Sequence, residues 1–136
     1  MKSKPVFTFP ALEEGILLRR YKRFLADIEL KTGEVVTAHC ANTGPMTGVL
    51  NRGGRIRIRY CPSPKRKLAW SWEQAEVEDS EGRSCWVGVN TSLPNKLIQI
   101  AIEKVTKHLN LDKNVILHLC KNRMIPQHVY MITICI

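Results

Sequence analysis

Strict alternation of charged and apolar side chains over residues 55–60 is the feature that most constrains the fold. Side chains of a β-strand point alternately to its two faces, at roughly 7 Å intervals along each face, whereas a helix would scatter them around its axis. The pattern therefore predicts a strand with one apolar face in the core, formed by Ile56, Ile58 and Tyr60. The other face carries a row of positive charge, formed by Arg55, Arg57 and Arg59.

Further alternating segments predict more strands. Residues 26–30 and 35–40 flank a turn-like Lys-Thr-Gly-Glu, and residues 68–77 and 84–89 flank an acidic turn. Glycine-containing turns between short alternating runs are typical of small barrels and sandwiches. We expect a mainly β fold, a five-stranded barrel of the oligonucleotide-binding (OB) type, although two sandwiched sheets fit the pattern nearly as well.

The period changes near Ser92, a plausible helix N-cap followed by Pro94. Apolar residues then recur at helical spacing, which predicts an amphipathic helix over about 93–108. The expected organisation is a barrel in residues 1–90, a helix leading out of it in 91–109, and a tail in 110–136. One face of the helix is expected to expose apolar surface, which would favour self-association. The residues of this face are Leu97, Ile98, Ile102 and Val105.

Positive charge is concentrated in the first half of the chain. Of 21 Lys and Arg residues, 14 lie in residues 1–72, against 5 of the 12 acidic residues, so this half accounts for the net charge of +9. Clustered basic side chains neutralise phosphates and so favour a polyanionic partner. The candidate nucleic-acid contacts are Arg20, Lys22, Arg23, Arg55, Arg57, Arg59, Lys65, Arg66 and Lys67.

Other conspicuous residues favour structural roles. Trp70 and Trp72 share one strand face, which is more typical of a core than of a base-stacking platform. The acidic residues between Glu73 and Glu81 are expected to form a solvated hairpin. The Asn42, Thr43 and Gly44 loop is either held by its own hydrogen bonds or contacts a ligand.

Catalytic and metal-binding patterns are weak. Asp27, Glu29 and Lys31 include the Glu-x-Lys form of some magnesium nucleases, but we interpret the match as accidental. The histidines do not have the spacing of metal ligands, and no phosphate-loop or nucleophile-turn motif occurs. We therefore expect no enzyme activity, no metal and no cofactor.

The chain has no apolar stretch long enough to cross a bilayer, and its N-terminal segment does not have the pattern of a signal peptide. Its five cysteines are widely spaced and odd in number, which favours reduced thiols. A cytoplasmic protein without a membrane partner is expected.

Four blocks of sequence occur together in a distinctive order. They are Arg-Tyr-Lys-Arg-Phe-Leu-Ala-Asp at 20–27, His-Cys-Ala-Asn-Thr-Gly-Pro-Met-Thr-Gly at 39–48, Lys-Arg-Lys at 65–67 with Trp-Glu at 72–73, and Val-Asn-Thr at 89–91 with Pro-Asn-Lys-Leu at 94–97. In these blocks the chain resembles the sugar fermentation stimulation protein A family, over about residues 13–100. The resemblance implies an N-terminal OB barrel, DNA binding and regulation of sugar metabolism, notably of maltose.

The resemblance ends before the family's second domain, a nuclease-like α/β domain with an Arg-x-Asp-Phe block and a Glu-Val-Lys block. Neither block occurs here, so residues 110–136 are interpreted as a truncated or frame-shifted remnant. The leading hypothesis is a non-enzymatic protein that binds single- or double-stranded DNA largely without sequence specificity. The alternatives are the barrel half of a metal-dependent nuclease that needs a separate catalytic domain, and an RNA-binding module.

Overall fold

The computed structural model describes residues 7–109, which form six strands and one helix. The elements are β1 (Glu13–Tyr21), β2 (Leu25–Leu30), β3 (Val35–His39), β4 (Arg55–Tyr60), β5 (Trp70–Glu78), β6 (Ser84–Gly88) and α1 (Leu93–Leu109). The chain divides into two compact units. Of the described residues, one unit contains residues 9–91 and the other contains residues 7–8 and 92–109.

Residues 9–91 form a closed barrel of five strands. Its strands follow the order β3-β2-β1-β4-β5, and a parallel pairing between β3 and β5 closes the ring. β6 pairs antiparallel with the outer part of β5 and extends the sheet beyond the ring. The predicted mainly β, OB-type barrel is therefore confirmed, and the sandwich alternative is wrong because a sandwich would leave β3 and β5 unpaired.

The predicted set of strands was incomplete, because β1 was not recognised as a strand. A register shift between Leu17 and Arg19 interrupts its pairing with β2. Such a bulge adds a residue to one strand and reverses the alternation beyond it. Leu17 is accordingly buried whereas Leu18 and Arg19 are exposed, so the sequence shows no single period.

The barrel core contains the apolar faces of the strands. Its largest fully buried apolar side chains are Trp72, Leu17, Ile28, Ile56 and Ile58. Trp70 is half-buried against this core. The inward orientation predicted for Tyr60 is wrong, because this residue is 57% exposed. Tyr60 is the last residue of β4 and lies beyond the last core layer, where its ring contacts Trp70 instead.

Close packing of β1 against β2 requires glycine at position 15. A Cβ atom there would lie 2.6 Å from Cγ2 of Ile28 and 2.8 Å from the carbonyl oxygen of Glu29. Any larger side chain would push the two strands apart, since interiors are packed to crystal density.

α1 confirms the predicted amphipathic helix and its start near Ser92. Ile98 is 40% exposed and Leu97 is half-buried. The side chains of Ile102 and Val105, and the whole predicted tail 110–136, lie outside the described residues, so self-association stays a prediction. Within residues 7–109 we find no helix with the length and apolar character needed to cross a membrane.

Candidate nucleic-acid interface

Strand pairing brings three connections of the chain to one end of the barrel. The residues that pair at this end are Tyr21 with Leu25, Leu25 with His39, Ala38 with Trp70, and Tyr60 with Trp70. The β1–β2 turn (22–24), the start of the β3–β4 loop (40–48) and the β4–β5 loop (61–69) therefore leave the barrel together. We call this the loop end.

The β1–β2 turn presents two exposed cations in a strained backbone conformation. Lys22 and Arg23 have φ angles of 49° and 64°, in the left-handed region. For a non-glycine residue this conformation costs about 1–2 kcal/mol. Strain of this kind concentrates at functional sites, where a particular side chain is needed despite its backbone preference. Among the described residues, no acidic side chain pairs with either cation.

The β4–β5 loop presents two further cations. It is stiffened by two prolines and anchored by a hydrogen bond from the backbone N–H of Cys61 to the carbonyl of Ala69 at 2.7 Å. Lys65 and Lys67 are exposed, and their ammonium groups have no carboxylate partner within residues 7–109. Arg66 instead folds back and donates hydrogen bonds to Oγ of Ser71, at 2.8 Å, and to Sγ of Cys61. Only the two lysines of this predicted triplet face solvent freely.

Arg20 acts as a buttress beneath these connections. Its Nη2 atom lies 2.7 Å from the carbonyl oxygen of Arg23, 2.8 Å from that of Asn42 and 2.9 Å from that of Gly44. The Nε atom is buried and lacks a hydrogen-bond partner among the described residues. The guanidinium therefore joins the β1–β2 turn to the β3–β4 loop instead of pointing into solvent.

The loop that contains Asn42, Thr43 and Gly44 is held by its own hydrogen bonds. Oδ1 of Asn42 accepts a hydrogen bond from the backbone N–H of Gly44 at 2.9 Å, and the carbonyls of both residues are bonded to Arg20. The Asn42 carbonyl also accepts a hydrogen bond from the Cys40 thiol. The hydroxyl-bearing Thr43 is exposed between them. These contacts favour the structural alternative over the ligand contact.

Strand β4, which we call the arginine strand because it carries Arg55, Arg57 and Arg59, has the orientation that the alternation predicted, but its charges are paired. Arg55 and Arg57 contact Glu14 at 3.2 and 3.1 Å, and Arg59 contacts Glu73 at 3.0 Å. Arg55 also contacts Glu76 at 3.0 Å, and the guanidinium of Arg57 lies 3.9 Å from the centre of the Trp86 ring. Arg55 and Arg57 lie toward the barrel end away from the loop end, because β4 runs toward Tyr60.

Glu14 is the centre of this opposite cluster. Hydrogen bonds from Arg57, then from Arg55 and Lys31, lower the pKa of Glu14 from 4.5 to about 2. An open groove of about 610 Å³ lies beside it, lined in part by Leu12, Leu30 and Thr32. Three of the charged groups that line this groove, Glu14, Lys31 and Arg57, are already paired with one another.

The acidic stretch forms a hairpin between β5 and β6, as the sequence predicted, but its first residue, Glu73, is not solvated. Glu73 is only 1% exposed, and its carboxylate accepts hydrogen bonds from Arg59 at 3.0 Å and from Nδ2 of Asn90 at 2.9 Å. The Asp79 carboxylate accepts hydrogen bonds from two backbone N–H groups of its own turn and forms an ion pair with Arg83. Glu78 and Glu81 are exposed, as predicted. The side chains of Arg59, on the neighbouring strand β4, and of Asn90 both contact the Glu73 carboxylate.

Two exposed aromatic side chains at the loop end were not predicted. Phe24 is 45% exposed in the β1–β2 turn, and Tyr60 is 57% exposed at the end of β4. The centre of the Tyr60 ring lies 4.9 Å from that of Trp70, at an interplanar angle of 56°. Their positions in the sequence could have indicated this exposure, because Phe24 and Tyr60 each lie next to a loop rich in basic residues.

The outer face of β1, β2 and β3 holds a compact polar cluster around Asp27. Burial by itself would raise the pKa of Asp27, but hydrogen bonds from Arg19, Thr37 and Tyr21 outweigh it and lower the pKa overall. Lys31 pairs with Glu14 at 3.3 Å, not with Glu29. Within the described part of the chain, no group of three or more His, Cys, Asp or Glu side chains has an arrangement that could hold a metal ion.

Comparison with known proteins agrees with this architecture. Residues 18–89 match the model of the SfsA N-terminal OB domain. A solved structure, that of Pyrococcus furiosus SfsA in complex with Ca²⁺, superposes with a TM-score of 0.60 over 75% of this chain and 41% of that chain, at 22% identity. That likeness concerns the fold.

Curated relatives are much closer in sequence. The sugar fermentation stimulation protein homologue of Prochlorococcus marinus (strain MIT 9313) is 69% identical over 103 residues, which cover 76% of this chain and 41% of the relative. The homologue of Synechococcus sp. (strain CC9311) is 66% identical over the same length and the same shares of both chains. The chain thus spans about two-fifths of the length of these relatives. It belongs to the SfsA family, the sugar fermentation stimulation proteins, and residues 18–89 are its N-terminal OB domain.

Proposed function

We propose that the chain binds DNA through the loop end of the barrel, largely without sequence preference. The observation that supports this most directly is the distribution of unpaired charge. Four exposed cations without a carboxylate partner among the described residues meet at the loop end, and they are Lys22, Arg23, Lys65 and Lys67. At the opposite end the exposed cations of the connections include Arg52, which donates to the Leu18 carbonyl, and Lys31, which pairs with Glu14. Flexible cations of this kind contact phosphates, which position a nucleic acid without reading its sequence.

The arginine strand has a secondary part in this proposal. Arg55, Arg57 and Arg59 retain 49%, 32% and 31% side-chain exposure, but each already contacts a carboxylate. A phosphate would have to compete with that carboxylate, so its net gain would be small. We therefore assign the primary contacts to the loop end, and we assign to the arginine strand the stability of the sheet.

We further propose that the chain binds DNA without cleaving it. The one Glu-x-Lys element has its neighbouring Asp27 engaged by three hydrogen-bond donors, which leaves that carboxylate poorly placed to take a metal ion. Incubation of labelled DNA with purified protein and Mg²⁺ or Mn²⁺ is expected to leave the DNA intact. Cleavage that persists through purification would favour the alternative, a nuclease. Since the relatives are named for stimulation of sugar fermentation, we propose that DNA binding serves the regulation of sugar metabolism.

Binding of labelled DNA, followed by fluorescence anisotropy at several salt concentrations, tests the proposal. Four phosphate contacts predict that log K falls with log salt at a slope of roughly −3 to −4. A double substitution at the loop end, Lys65→Ala with Lys67→Ala, should reduce both the affinity and the slope. The same oligonucleotide as RNA, used as a competitor, distinguishes the RNA-binding alternative.

The matched control removes two exposed cations at the opposite end, by Lys31→Ala with Arg52→Ala. Both residues lie in turns away from the loop end, and the net charge falls by the same amount. If the control weakens binding as much as the loop-end variant does, the attraction is a property of net charge and the assigned interface is wrong.

A further inference from the structure

Tyr60 presents an exposed aromatic ring at the loop end, packed against one aromatic neighbour. It is the last residue of β4, pairs there with Trp70 of β5, and contacts the Trp70 ring with 4.9 Å between the two ring centroids. Despite this contact, Tyr60 remains 57% exposed. An exposed aromatic ring does not contribute the stability that its burial would give to the fold. A ring that already packs against a neighbour loses little conformational entropy when it accepts a stacking partner.

Exposed cations without a carboxylate partner among the described residues share the loop end with this ring. The β4–β5 loop begins directly after Tyr60 and carries the exposed Lys65 and Lys67. The β1–β2 turn, at the same barrel end, carries Lys22 and Arg23 together with the exposed Phe24. An aromatic surface among cations is the combination that single strands bind, because their phosphates need cations and their unpaired bases have free π-faces.

From this arrangement we propose that the loop end prefers single-stranded DNA to duplex DNA, and that the Tyr60 ring stacks on an unpaired base. The inference rests on the DNA binding proposed above and names the form of DNA that the site takes. In a duplex the bases already stack on one another, so a protein ring at the surface reaches only the phosphates and sugars. The duplex therefore gains the contacts of the lysines but not that of Tyr60.

Anisotropy titrations with a labelled oligo-dT strand and with a duplex of equal length test the preference. The wild-type protein is expected to bind the single strand at least several-fold more tightly at the same salt concentration. Tyr60→Ala should weaken single-strand binding by about 5- to 150-fold, the range for loss of one stacked base, and should change duplex binding by less than about twofold. Tyr60→Phe keeps the ring and should bind like the wild type.

A matched control is Val35→Ala, because Val35 is also 57% exposed and lies at the start of β3, away from the loop end. Its binding should be unchanged. Equal wild-type affinities for both DNA forms, or equal loss of both in Tyr60→Ala, would overturn the inference while leaving DNA binding intact. Should Tyr60→Ala fail to fold, the wild-type preference still decides the matter, because a duplex preference contradicts a stacking site. Absence of binding to either DNA would instead refute the proposed function itself.

Discussion

At the scale of single residues, several side chains that looked available for binding have structural tasks. Arg20 is the clearest case, because it is one of a basic run yet its guanidinium faces three backbone carbonyls. The run Arg20, Lys22 and Arg23 has uniform chemistry in the sequence, and the β1–β2 turn separates it into one buttress and two exposed cations. A residue's charge shows what it can bind, whereas its position shows whether the charge is already in use.

Replacing Arg20 with methionine is expected to destabilise the protein by about 1–3 kcal/mol, since carbonyls beneath two connections lose their donor. DNA binding should weaken as well, because the β1–β2 turn loses its support. Chemical denaturation measures the first effect. Arg52→Met is the control, since exposed Arg52 makes one hydrogen bond, to the Leu18 carbonyl, and its loss should cost far less. Equal costs for both variants would mean that the buttress contributes little.

Gly15→Ala should destabilise the barrel by about 1–3 kcal/mol, because its Cβ would overlap Ile28 and the backbone of Glu29. Gly88→Ala provides the comparison, since a Cβ there has no heavy atom within 4 Å. Thermal melting of the two variants measures the difference. A Gly15→Ala protein as stable as the Gly88→Ala protein would show that β1 and β2 can separate without cost.

At the scale of elements, the β1–β2 turn and strand β4 show opposite uses of basic residues. The turn keeps its cations exposed despite an unfavourable backbone conformation, whereas β4 pairs its cations with neighbouring carboxylates. The turn therefore resembles an element adapted for binding, and β4 resembles one adapted for stability. Substitutions in each element separate the two uses.

Changing the turn residues to Lys22→Asn with Arg23→Gly should raise stability by about 1–2 kcal/mol, because Asn-Gly adopts positive φ angles readily. The same change removes two cations, so DNA affinity should fall. Lys22→Ala with Arg23→Ala removes the charge while keeping the strain, and should lower affinity without stabilising the fold. Denaturation and anisotropy are measured on both proteins. Unchanged affinity in both would exclude the turn from the interface.

Reversing the charge of β4 by Arg57→Glu should lower stability, because the new carboxylate would face Glu14 and the contact with Trp86 would be lost. Arg57→Met keeps an alkyl chain against Trp86, so it should lower the free energy of unfolding less than Arg57→Glu does. We expect a difference of about 1 kcal/mol or more between the two variants. Neither variant should weaken DNA binding beyond the effect of partial unfolding. A folded Arg57→Met protein with tenfold weaker binding would return the arginine strand to the interface.

At the scale of the whole molecule, the chain has a net charge of +9, and its basic side chains are of two kinds, those paired with a carboxylate and those without such a partner among the described residues. The carboxylates of these pairs include Glu14 and Asp27, whose pKa values both lie below their ordinary values. A carboxyl with a lowered folded-state pKa stabilises the native protein at any pH above its unfolded pKa, and this stabilisation disappears as the pH falls through the folded pKa. The molecule is therefore expected to lose stability in acid.

For Glu14 the window of this loss runs from about pH 4.5 down to about 2. Glu14→Gln should lower stability at pH 7 and flatten the pH dependence across that window. Denaturation midpoints measured from pH 7 to pH 2 in both proteins test this. Glu34→Gln is the control, because Glu34 is exposed in the β2–β3 turn and should leave the profile unchanged. Parallel profiles for wild type and Glu14→Gln would mean that its ion pairs add no net stability.

The sequence by itself determined most of the secondary structure and which side of each regular strand faces the core. Alternation is a local property, so Ile56 and Ile58 could be placed in the core, and the helical period after Ser92 could be recognised, without knowledge of the fold. The same reasoning failed at β1, where a bulge breaks the alternation, and at Tyr60, where the strand outlasts the core beneath it.

Only the tertiary structure decided which charges are available. Arg57 meets Glu14 from 43 positions away, and Arg59 meets Glu73 across β4 and β5. Barrel closure likewise decided that the basic residues of the β1–β2 turn and of the β4–β5 loop share one end with an exposed tyrosine. The physical reason is that a strand's period is set by its own backbone, whereas ion pairing and the grouping of loops depend on contacts between residues far apart in the chain.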